Sequence, residues 1–480
     1  MSKIRLLVDD RHVKVFTDDL GILQKFYTSQ VYEDKSECYV RGKFDASRVI
    51  RVPIVSCDSD FGRLTGRSGL FPEMVEFCEA NGIEIDPLDD RRTKFDFQEA
   101  EYTHDFLRKF FPKEFEYTEH QIRALRVMLR NNCGLIVACT SAGKSKIISA
   151  YVRLTGLRTL ILENKATLAV QLKDDLRKDG VDCGIFGGNG MEMGECVVST
   201  IQSVHKIPPD ELREFRCLII DEVQNASART FQDFMERFDV PLRFGFSASP
   251  QRKGKEYDYA KIRQFLGSPI ITVGSGELID NHVMAKPFIY LLKSECDKTE
   301  SYPEAYSKYI VNNELRNGMV VRVARHYGSG VLILVNIIEH GELLRSRIEG
   351  SEFISGSTPL EERVRRIAEF EEGKLNCLIA STILQEGISI THMKAMILAC
   401  GGKSNVAVIQ KIGRSLRYKK GEKTEVDFFD FIDNGNNFLY KHSRERVAIY
   451  RKEGYTDIKV VNSLSVFFGE QKELFESAES

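Results

Sequence analysis

The pattern of apolar and polar residues changes at about residue 105. Before that point, apolar and polar residues alternate over short stretches, at residues 5–8, 12–16, 39–44 and 49–55. Such alternation is typical of half-buried β-strands. One helix is predicted from about residue 71 to an end near 81–82, with Met74, Val75, Phe77 and Cys78 on its inner side. The pattern therefore predicts a small α+β domain over residues 1–105.

A charged segment at residues 86–101 is predicted to be a linker, and the pattern then becomes that of short apolar runs separated by helical periodicity. The first runs are residues 135–138, 159–162, 196–199, 217–220 and 244–247. After an interruption at 272–276 they continue at residues 331–335, 353–354, 377–380, 395–398 and 426–431. Alternating strand and helix indicate doubly wound parallel sheets. We expect two α/β domains, at 106–275 and 276–455, and a tail at 456–480 that forms a last helix or a partner contact.

The loop between the run at 135–138 and the helical stripe at 147–154 carries the clearest chemistry. Its residues are Thr140, Ser141, Ala142, Gly143, Lys144 and Ser145. Backbone N–H groups of such a loop and of the following helix start converge on a phosphate. Lys144 would reach the outer phosphates of ATP, and the Ser145 hydroxyl would ligate Mg²⁺. Ala138 stands where the pattern usually has its first glycine, and an ordinary strand-to-helix turn remains the alternative.

Two carboxylates, Asp221 and Glu222, directly follow the apolar run at 217–220. The carboxyl ends of strands are where an α/β sheet binds ligands. Asp221 would hold Mg²⁺ through water, and Glu222 would orient or deprotonate the attacking water. An ordinary acidic strand end is the alternative, and the phosphate loop earlier in the same domain argues against it.

Gln410, Arg414 and Arg417 have the spacing i, i+4, i+7 and would share one face of a helix, while apolar residues line another face. Two guanidinium groups that face a domain cleft can neutralise charge on the γ-phosphate in the transition state. A solvated basic helix face is the alternative.

Two loops have compositions that suit contacts to a nucleic-acid backbone. Residues 61–67 combine Arg63 and Arg67 with an aromatic residue and flexible glycines, a composition suited to phosphate contacts and base stacking. Ser357 precedes a predicted capping box at 358–361 and could donate to a phosphate. The helix after that box carries Val364, Ile367 and Phe370. A solvated hairpin and a plain loop are the respective alternatives.

In order along the chain, the loop ending in Lys144-Ser145, the segment 221–224 and the segment 247–249 resemble the motifs of superfamily 2 helicases. The resemblance spans about residues 115–435 and implies two tandem RecA-like domains, ATP and Mg²⁺. It also implies that Gln121 reads the adenine and that Gly387 and the Gln410, Arg414 and Arg417 group have ATP-linked roles. Nucleic-acid contacts are implied for Thr167, Thr200, Gln202 and Thr382. Coupling between the two sites is implied for Gln224, Ser247 and Ser249.

Three positions depart from the family pattern. Gln224 stands where histidine is usual, Ser249 where threonine is commoner, and Ser389 where many members place an aspartate on the ribose. A glutamine can couple neighbouring groups by hydrogen bonds but cannot carry a proton charge. We expect the coupling to be retained.

Within the superfamily, residues 61–67, the phosphate loop and residues 277–280 are most similar to bacteriophage branch-migrating DNA helicases, which are related to fork-remodelling and repair helicases. This implies 3′ to 5′ movement on single-stranded, forked or branched DNA, with recombination or replication proteins as possible partners, and we favour a monomer. An RNA helicase, a double-stranded DNA translocase and an ATP-gated binding module remain alternatives.

Composition is compatible with this interpretation. Hydrophobic residues make up 42% and charged residues 29% of the chain, as in ordinary globular proteins. We expect an intracellular, cytoplasmic protein, because no signal peptide or membrane span is apparent. The 11 cysteines are dispersed without Cys-x-x-Cys spacing, which indicates core thiols rather than a zinc site. With a net charge of −2, nucleic acid would have to bind local basic patches.

Overall fold

The computed structural model describes residues 3–36, 38–40, 43–97, 103–110, 117–139, 142–187, 190–226, 229–251, 254–281, 283–381, 393–402 and 425–469. The chain divides into two compact units, Met1–Ala138 with Ala142–Val273, and Cys139–Ser141 with Gly274–Ser480. The division falls at 273–274, inside the predicted interruption. No helix in the described part is both long and apolar enough to cross a membrane.

The N-terminal domain is the predicted α+β fold. Its strands are β1 (Lys3–Val8), β2 (His12–Phe16), β3 (Val31–Asp34), β4 (Tyr39–Val40), β5 (Lys43–Phe44), β6 (Ile50–Pro53), β7 (Ser56–Asp58), β8 (Arg63–Arg67) and β9 (Glu84–Asp90), and its helices are α1 (Leu20–Ser29) and α2 (Phe71–Ala80). The main sheet has the order β7-β8-β2-β1-β9. Alternate residues of β1, namely Ile4, Leu6 and Val8, are buried in a core shared with the two helices.

The linker prediction was wrong at its start. Residues 86–90 belong to β9, which pairs in parallel with β1. Arg92 then folds back on Asp90, with its Nη2 2.9 Å from Oδ2. A sheet edge can be built from polar residues because its outer side faces water, so composition alone did not reveal this strand.

The first α/β domain follows in the same unit. Its helices are α3 (His104–Phe110), α4 (Glu119–Arg130), α5 (Lys144–Thr155), α6 (Ala166–Lys178), α7 (Pro209–Glu214), α8 (Arg229–Arg237) and α9 (Glu256–Leu266). Its strands are β10 (Cys133–Ala138), β11 (Thr159–Glu163), β12 (Cys183–Gly187), β13 (Gly190–Glu192), β14 (Cys196–Thr200), β15 (Cys217–Ile220), β16 (Leu242–Ser247) and β17 (Pro269–Val273). The sheet order is β13-β12-β14-β11-β15-β16-β10-β17, parallel except where β12 meets β13. The predicted doubly wound sheet is confirmed.

Arg243 of β16 joins the N-terminal domain to this α/β domain. Its side chain is buried, and the guanidinium donates to the carbonyl oxygens of Asp10 (2.6 Å), Val240 (2.7 Å) and Phe265 (2.9 Å) and to Ser68 Oγ (2.7 Å). Asp10 and Ser68 belong to the N-terminal domain. One buried side chain therefore satisfies acceptors from both domains, which ties them together.

Ion pairs surround this contact. Arg67, at the end of β8, pairs with Glu236 and lies over the Phe265 ring at 5.3 Å. Arg263 of α9 pairs with Glu73 of α2, and both side chains are largely buried. The two domains thus meet through a polar, hydrogen-bonded interface within the first unit.

The second unit is another α/β domain. Its helices are α10 (Ser275–Asp280), α11 (Tyr302–Tyr306), α12 (Glu314–Tyr327), α13 (Ile338–Arg347), α14 (Leu360–Glu371), α15 (Leu439–Lys452) and α16 (Leu464–Phe467), with a π-helical segment at Ser307–Val311. Its strands are β18 (Lys286–Glu295), β19 (Val331–Leu334), β20 (Ser351–Ile354), β21 (Cys377–Ala380), β22 (Ala395–Leu398), β23 (Glu425–Asn434) and β24 (Ile458–Val461). The sheet order is β20-β21-β19-β22-β23-β18-β24, and the pairings are parallel.

Two details of this domain differ from the sequence predictions. The helix predicted to begin at a capping box starts at Leu360, and Thr358 Oγ1 accepts from Ser355 N at 3.0 Å instead of capping the helix. In this helix Ile367 and Phe370 are buried, and Val364 is 60% exposed. The predicted tail continues the domain up to residue 469, because β24 pairs with β18 and α16 packs on the core.

Candidate active site

The phosphate loop connects β10 to α5, as predicted. Gly143 precedes the helix with φ 72°, in the left-handed region that favours glycine. A Cβ atom at this position would lie 2.2 Å from Gln121 Nε2, so a side chain would collide with the glutamine. Gly143 therefore supplies both the turn and the space that the loop needs.

Gln121 holds this loop from the side of α4. Its Oε1 accepts from Thr118 N at 3.0 Å, and its Nε2 donates to Ala142 O at 3.1 Å. The side chain is buried, with 4% of the residue exposed. Gln121 thus caps α4 and fixes the loop backbone. The adenine contact that the sequence suggested for it stays a prediction.

Lys144, at the first position of α5, lies beside both predicted acidic residues. Its Nζ is 3.3 Å from Asp221 Oδ1 and 3.3 Å from Glu222 Oε1. The three side chains are 10–20% exposed, so water screens their charges only partly. Parallel pairing of β10 with β16 and of β16 with β15 brings these residues, which are distant in sequence, to one edge of the sheet.

Glu222 begins a chain of hydrogen bonds along this edge. Its φ of 49° is unusual for a residue with a side chain and turns the backbone sharply after β15. Gln224 Nε2 donates to Glu222 Oε2 at 2.6 Å, and Ser247 Oγ donates to Gln224 Oε1 at 2.6 Å. Ser249 N then donates to Ser247 Oγ at 3.0 Å. The three residues with predicted coupling roles therefore form one connected path from Glu222.

Glu163 is a further acidic residue that sequence reasoning missed. It ends β11 and is 3% exposed, and its Oε2 has no hydrogen-bond partner within the described part of the chain. Burial raises the pKa of the Glu163 carboxyl well above its usual range, and the charges of Asp221 and Glu222 raise it further. The sequence signal that could have identified Glu163 is its position directly after the apolar run at 159–162, in the strand that pairs with β15.

Ser145 and Asp221 offer a hydroxyl and a carboxylate oxygen, which are the ligands that Mg²⁺ prefers in proteins. The carboxylate accepts from Glu222 N at 2.8 Å, which orients it, and leaves further lone pairs available. The side chains present therefore fit a magnesium ion bound together with ATP phosphates.

The predicted nucleic-acid contacts of the first α/β domain lie along the same sheet edge. Thr167 is exposed in the first turn of α6, and Gln202 is exposed just after β14. Thr200 is buried, and its Oγ1 donates to Ser203 Oγ at 2.9 Å. Thr200 therefore shapes the turn that presents Gln202. Their contacts to nucleic acid stay predictions.

The structure separates Arg63 and Arg67, which the sequence placed in one loop. Both lie in β8, at opposite ends of the strand. Arg63 is exposed beside Asp58, with its Nη2 3.2 Å from Oδ2. Arg67 is only 15% exposed and is bound to Glu236. A phosphate contact by Arg67 would require that pair to open, so we assign Arg67 to the domain interface and retain the prediction for Arg63.

Ser357, predicted to contact a phosphate, lies in the turn before α14, where its Oγ is 2.8 Å from Ser355 Oγ. Several other predicted residues lie outside the described residues. These are Thr140, Ser141, Thr382, Gly387, Gln410, Arg414 and Arg417.

Comparison with known proteins identifies two family domains. Residues 114–252 match the family described as "Type III restriction enzyme, res subunit", and residues 312–419 match "Helicase conserved C-terminal domain". The first match contains Lys144, Glu222 and Gln224, so the hydrogen-bonded site described around these residues lies within a known family domain.

Curated relatives and a solved structure agree with these matches. The chain is 25% identical over 462 residues to the ATP-dependent DNA helicase uvsW of Enterobacteria phage T4, covering 84% of this chain and 89% of the relative. It is 22% identical over 358 residues to the DNA 3′-5′ translocase XPB2 of Sulfurisphaera tokodaii, covering 65% and 81%. The fold matches that of S. cerevisiae Dbp5 bound to RNA and ADP BeF3 with TM-score 0.51 and 17% identity, over 75% of this chain and 94% of that one. Together these matches support the resemblance to superfamily 2 helicases that the motifs carry, and the chain is similar to phage members.

Proposed function

We propose that this superfamily 2 helicase is an ATP-driven DNA motor that unwinds or branch-migrates forked and recombination-intermediate DNA in the 3′ to 5′ direction. The observation that carries the proposal is the connected path from Lys144 through Glu222 and Gln224 to Ser247. This path starts at the predicted phosphate site and runs along the sheet edge on which Gln202 lies.

In this proposal Lys144 binds the outer phosphates, and Glu222 orients the attacking water and accepts its proton. Ser145 and Asp221 would hold a magnesium ion, which would supply positive charge to offset that of the phosphates. A movement of the Glu222 carboxylate would displace Gln224, because the two side chains are hydrogen-bonded at 2.6 Å. Ser247 would move in turn through its own hydrogen bond to Gln224, and the segment after β16 would follow.

The choice of DNA is supported by relatives that are named as DNA helicases and translocases. The polarity is supported by the relative named as a 3′-5′ translocase. Thr167 and Gln202 are exposed on the edge shared with the ATP-site residues, where a backbone contact would be coupled to ATP turnover. The N-terminal domain, bound to the first α/β domain through Arg243, would move together with it and select the substrate.

Steady-state ATP hydrolysis tests the proposal. Wild type, Lys144→Ala and Glu222→Gln are compared without nucleic acid and with single-stranded DNA, duplex DNA, a forked junction and RNA at one salt concentration, because salt sets affinity. Strongest stimulation by the fork, with turnover reduced at least about 100-fold in both variants, is the expected result. Normal turnover in either variant contradicts the assigned chemistry.

Matched controls are Lys178→Ala and Glu214→Gln, which change exposed residues of the same domain and should keep full activity. Circular dichroism of each variant checks that the fold is kept. Stimulation mainly by RNA would indicate an RNA helicase, and stimulation by duplex DNA without strand separation would indicate a double-stranded DNA translocase. An absence of stimulation by every nucleic acid contradicts the motor proposal.

A further inference from the structure

Glu163 has a buried carboxyl with no role in the chemistry assigned to Lys144, Asp221 and Glu222. It ends β11, only 3% of the residue is exposed, and its Oε2 forms no hydrogen bond within the described part of the chain. Buried polar side-chain atoms nearly always have a partner, because an unsatisfied one costs free energy on folding. A buried oxygen in this state indicates a partner that does not belong to the chain.

Strand pairing fixes the face of the sheet on which Glu163 lies. In the parallel pairing of β11 with β15, Leu162 lies opposite Ile220, and Asp221 N donates to Leu162 O at 3.0 Å. Glu163 and Asp221 are the next residues of the two chains, so they are lateral neighbours. Side chains of lateral neighbours lie on the same face, because successive residues of each strand alternate between faces. The Glu163 carboxyl therefore lies beside the carboxylate assigned to Mg²⁺.

The charges at this edge of the sheet favour a cation. Lys144 Nζ lies 3.3 Å from a carboxylate oxygen of Asp221 and 3.3 Å from one of Glu222, so one cation serves two carboxylates. Burial, and then the charges of these two carboxylates, raise the pKa of the Glu163 carboxyl well above its usual range. A third carboxyl is thus unfavourable beside its protein neighbours alone, and a divalent cation would offset the repulsion.

Glu163 can reach such an ion through water. Among the described residues, no group of three or more acidic, histidine or cysteine side chains is arranged to hold a metal ion directly. A water bound to Mg²⁺ directs its lone pair at the ion and its hydrogens outward, so a buried oxygen acceptor can hold it in place. The carboxyl group of Glu163 can accept such a bond in its ionised and in its neutral form.

We propose that Glu163 is a positioning residue of the ATP site, which accepts a hydrogen bond from a water on the Mg²⁺ ion that Ser145 and Asp221 would hold. This role rests on the proposed function, since it requires ATP and Mg²⁺ at the site. By orienting that water, Glu163 fixes the ion beside the phosphates. The same role accounts for a carboxyl at the end of a strand whose other residues, 159–162, are all buried.

Mn²⁺ replaces Mg²⁺ in the test, because electron paramagnetic resonance measures free Mn²⁺ directly and no catalysis is required. The protein is titrated into Mn²⁺ and ADP, with a protein-free sample to correct for Mn²⁺ bound to ADP alone. Glu163→Met removes the acceptor but keeps an unbranched chain of similar length, and Glu163→Gln keeps a carbonyl oxygen. We expect Mn²⁺ affinity to fall about tenfold or more in Glu163→Met and to stay within about twofold of wild type in Glu163→Gln.

Thermal unfolding without nucleotide or metal separates this role from a structural one. A buried carboxyl oxygen without a partner does not stabilise the fold, so the Tm of Glu163→Met should equal or exceed that of wild type. Addition of Mn²⁺ and ADP should then raise the Tm of wild type more than that of the variant. Glu195→Met, which changes an exposed glutamate of the same domain, is the matched control and should keep wild-type Mn²⁺ affinity.

Three results would overturn the role of Glu163. These are wild-type Mn²⁺ affinity in Glu163→Met, an equal loss of affinity in Glu163→Met and Glu163→Gln, and a lower Tm of ligand-free Glu163→Met. In each case the motor proposal stands if wild type binds Mn²⁺ with ADP and Lys144→Ala loses that binding. If wild type itself binds no Mn²⁺ with ADP, the ATP-site assignment fails together with the role of Glu163.

Discussion

Gln224 Nε2 donates a 2.6 Å hydrogen bond to Glu222 Oε2, at the position where this superfamily usually has a histidine. The other end of the same amide accepts from Ser247 Oγ. An amide has both a donor and an acceptor, so it bridges the carboxylate and the hydroxyl without needing a proton of its own. The substitution of glutamine for histidine therefore keeps the path continuous.

Gln224→Leu should uncouple the motor, because leucine fills the space of the amide but neither donates to Glu222 nor accepts from Ser247. We expect DNA-stimulated ATP hydrolysis to fall about tenfold or more, since the Glu222 carboxylate loses a short hydrogen bond that orients it. Nucleotide binding, measured with a fluorescent ATP analogue, should be nearly unchanged. Gln232→Leu, in α8 of the same domain, is the control, and full stimulation in Gln224→Leu would refute the coupling path.

Gly69→Ala should loosen the N-terminal domain from the first α/β domain. An added Cβ would lie 2.5 Å from Arg263 O and 2.6 Å from Gln264 O, and both are backbone atoms that cannot rotate away. We expect a loss of about 1–3 kcal/mol in the free energy of unfolding of the first unit and faster proteolysis of residues 91–97. Gly318→Ala, where no atom lies within 4 Å, should not destabilise the protein. Equal proteolysis rates for Gly69→Ala and wild type would contradict a tight interface.

Arg63→Ala should weaken binding of forked DNA without changing stability. The side chain is 45% exposed and its pair with Asp58 is a surface ion pair, which contributes little to folding. We expect about threefold to tenfold lower affinity for forked DNA. The slope of the logarithm of affinity against the logarithm of salt concentration, measured by anisotropy, should become smaller in magnitude by about one. Arg213→Ala removes an exposed arginine that is likewise paired with an aspartate, in another domain, and serves as the control. Unchanged affinity in Arg63→Ala would remove this residue from the DNA interface.

His340 is a buried histidine whose protonation state follows from its neighbours. Asn317 Nδ2 donates to Val311 O at 2.8 Å, so Asn317 Oδ1 faces His340 Nε2 at 2.9 Å and that nitrogen carries the proton. The other ring nitrogen, Nδ1, has no partner among the described residues. Burial, and then the nearby Arg316 charge, lower the pKa of His340 to about 4.

The second unit should therefore lose stability as the pH falls from about 6.5 to 4. In this range the unfolded chain binds a proton at His340 that the folded chain does not, so the free energy of unfolding falls by up to about 3 kcal/mol. Above pH 6.5 the residue is neutral in both states and has no such effect. His340→Gln keeps a donor for Asn317 but does not titrate, so its urea midpoint should depend less on pH. His205→Gln, at an exposed site, is the control, and identical pH profiles for His340→Gln and wild type would contradict the assignment.

Continuous apolar runs predicted the central strands well. The runs at 217–220, 377–380 and 395–398 match β15, β21 and β22 at both ends, because strands covered on both faces need apolar residues at each position. Strand β18 alternates buried and partly exposed residues and was missed, and β9 is polar. Their pairing partners, β23 and β1, are distant in sequence, so local composition did not reveal them.

The alternation of strand and helix in the two α/β domains, the phosphate loop with Lys144 and the acidic pair after β15 could be predicted from the chain, because burial periodicity and loop chemistry are local properties. The folded structure was needed to show that Glu163 lies beside the acidic pair, and that Arg67 belongs to an interface while Arg63 faces water. These relationships depend on which strands pair and which domains pack, and such contacts arise between residues that the chain pattern does not connect.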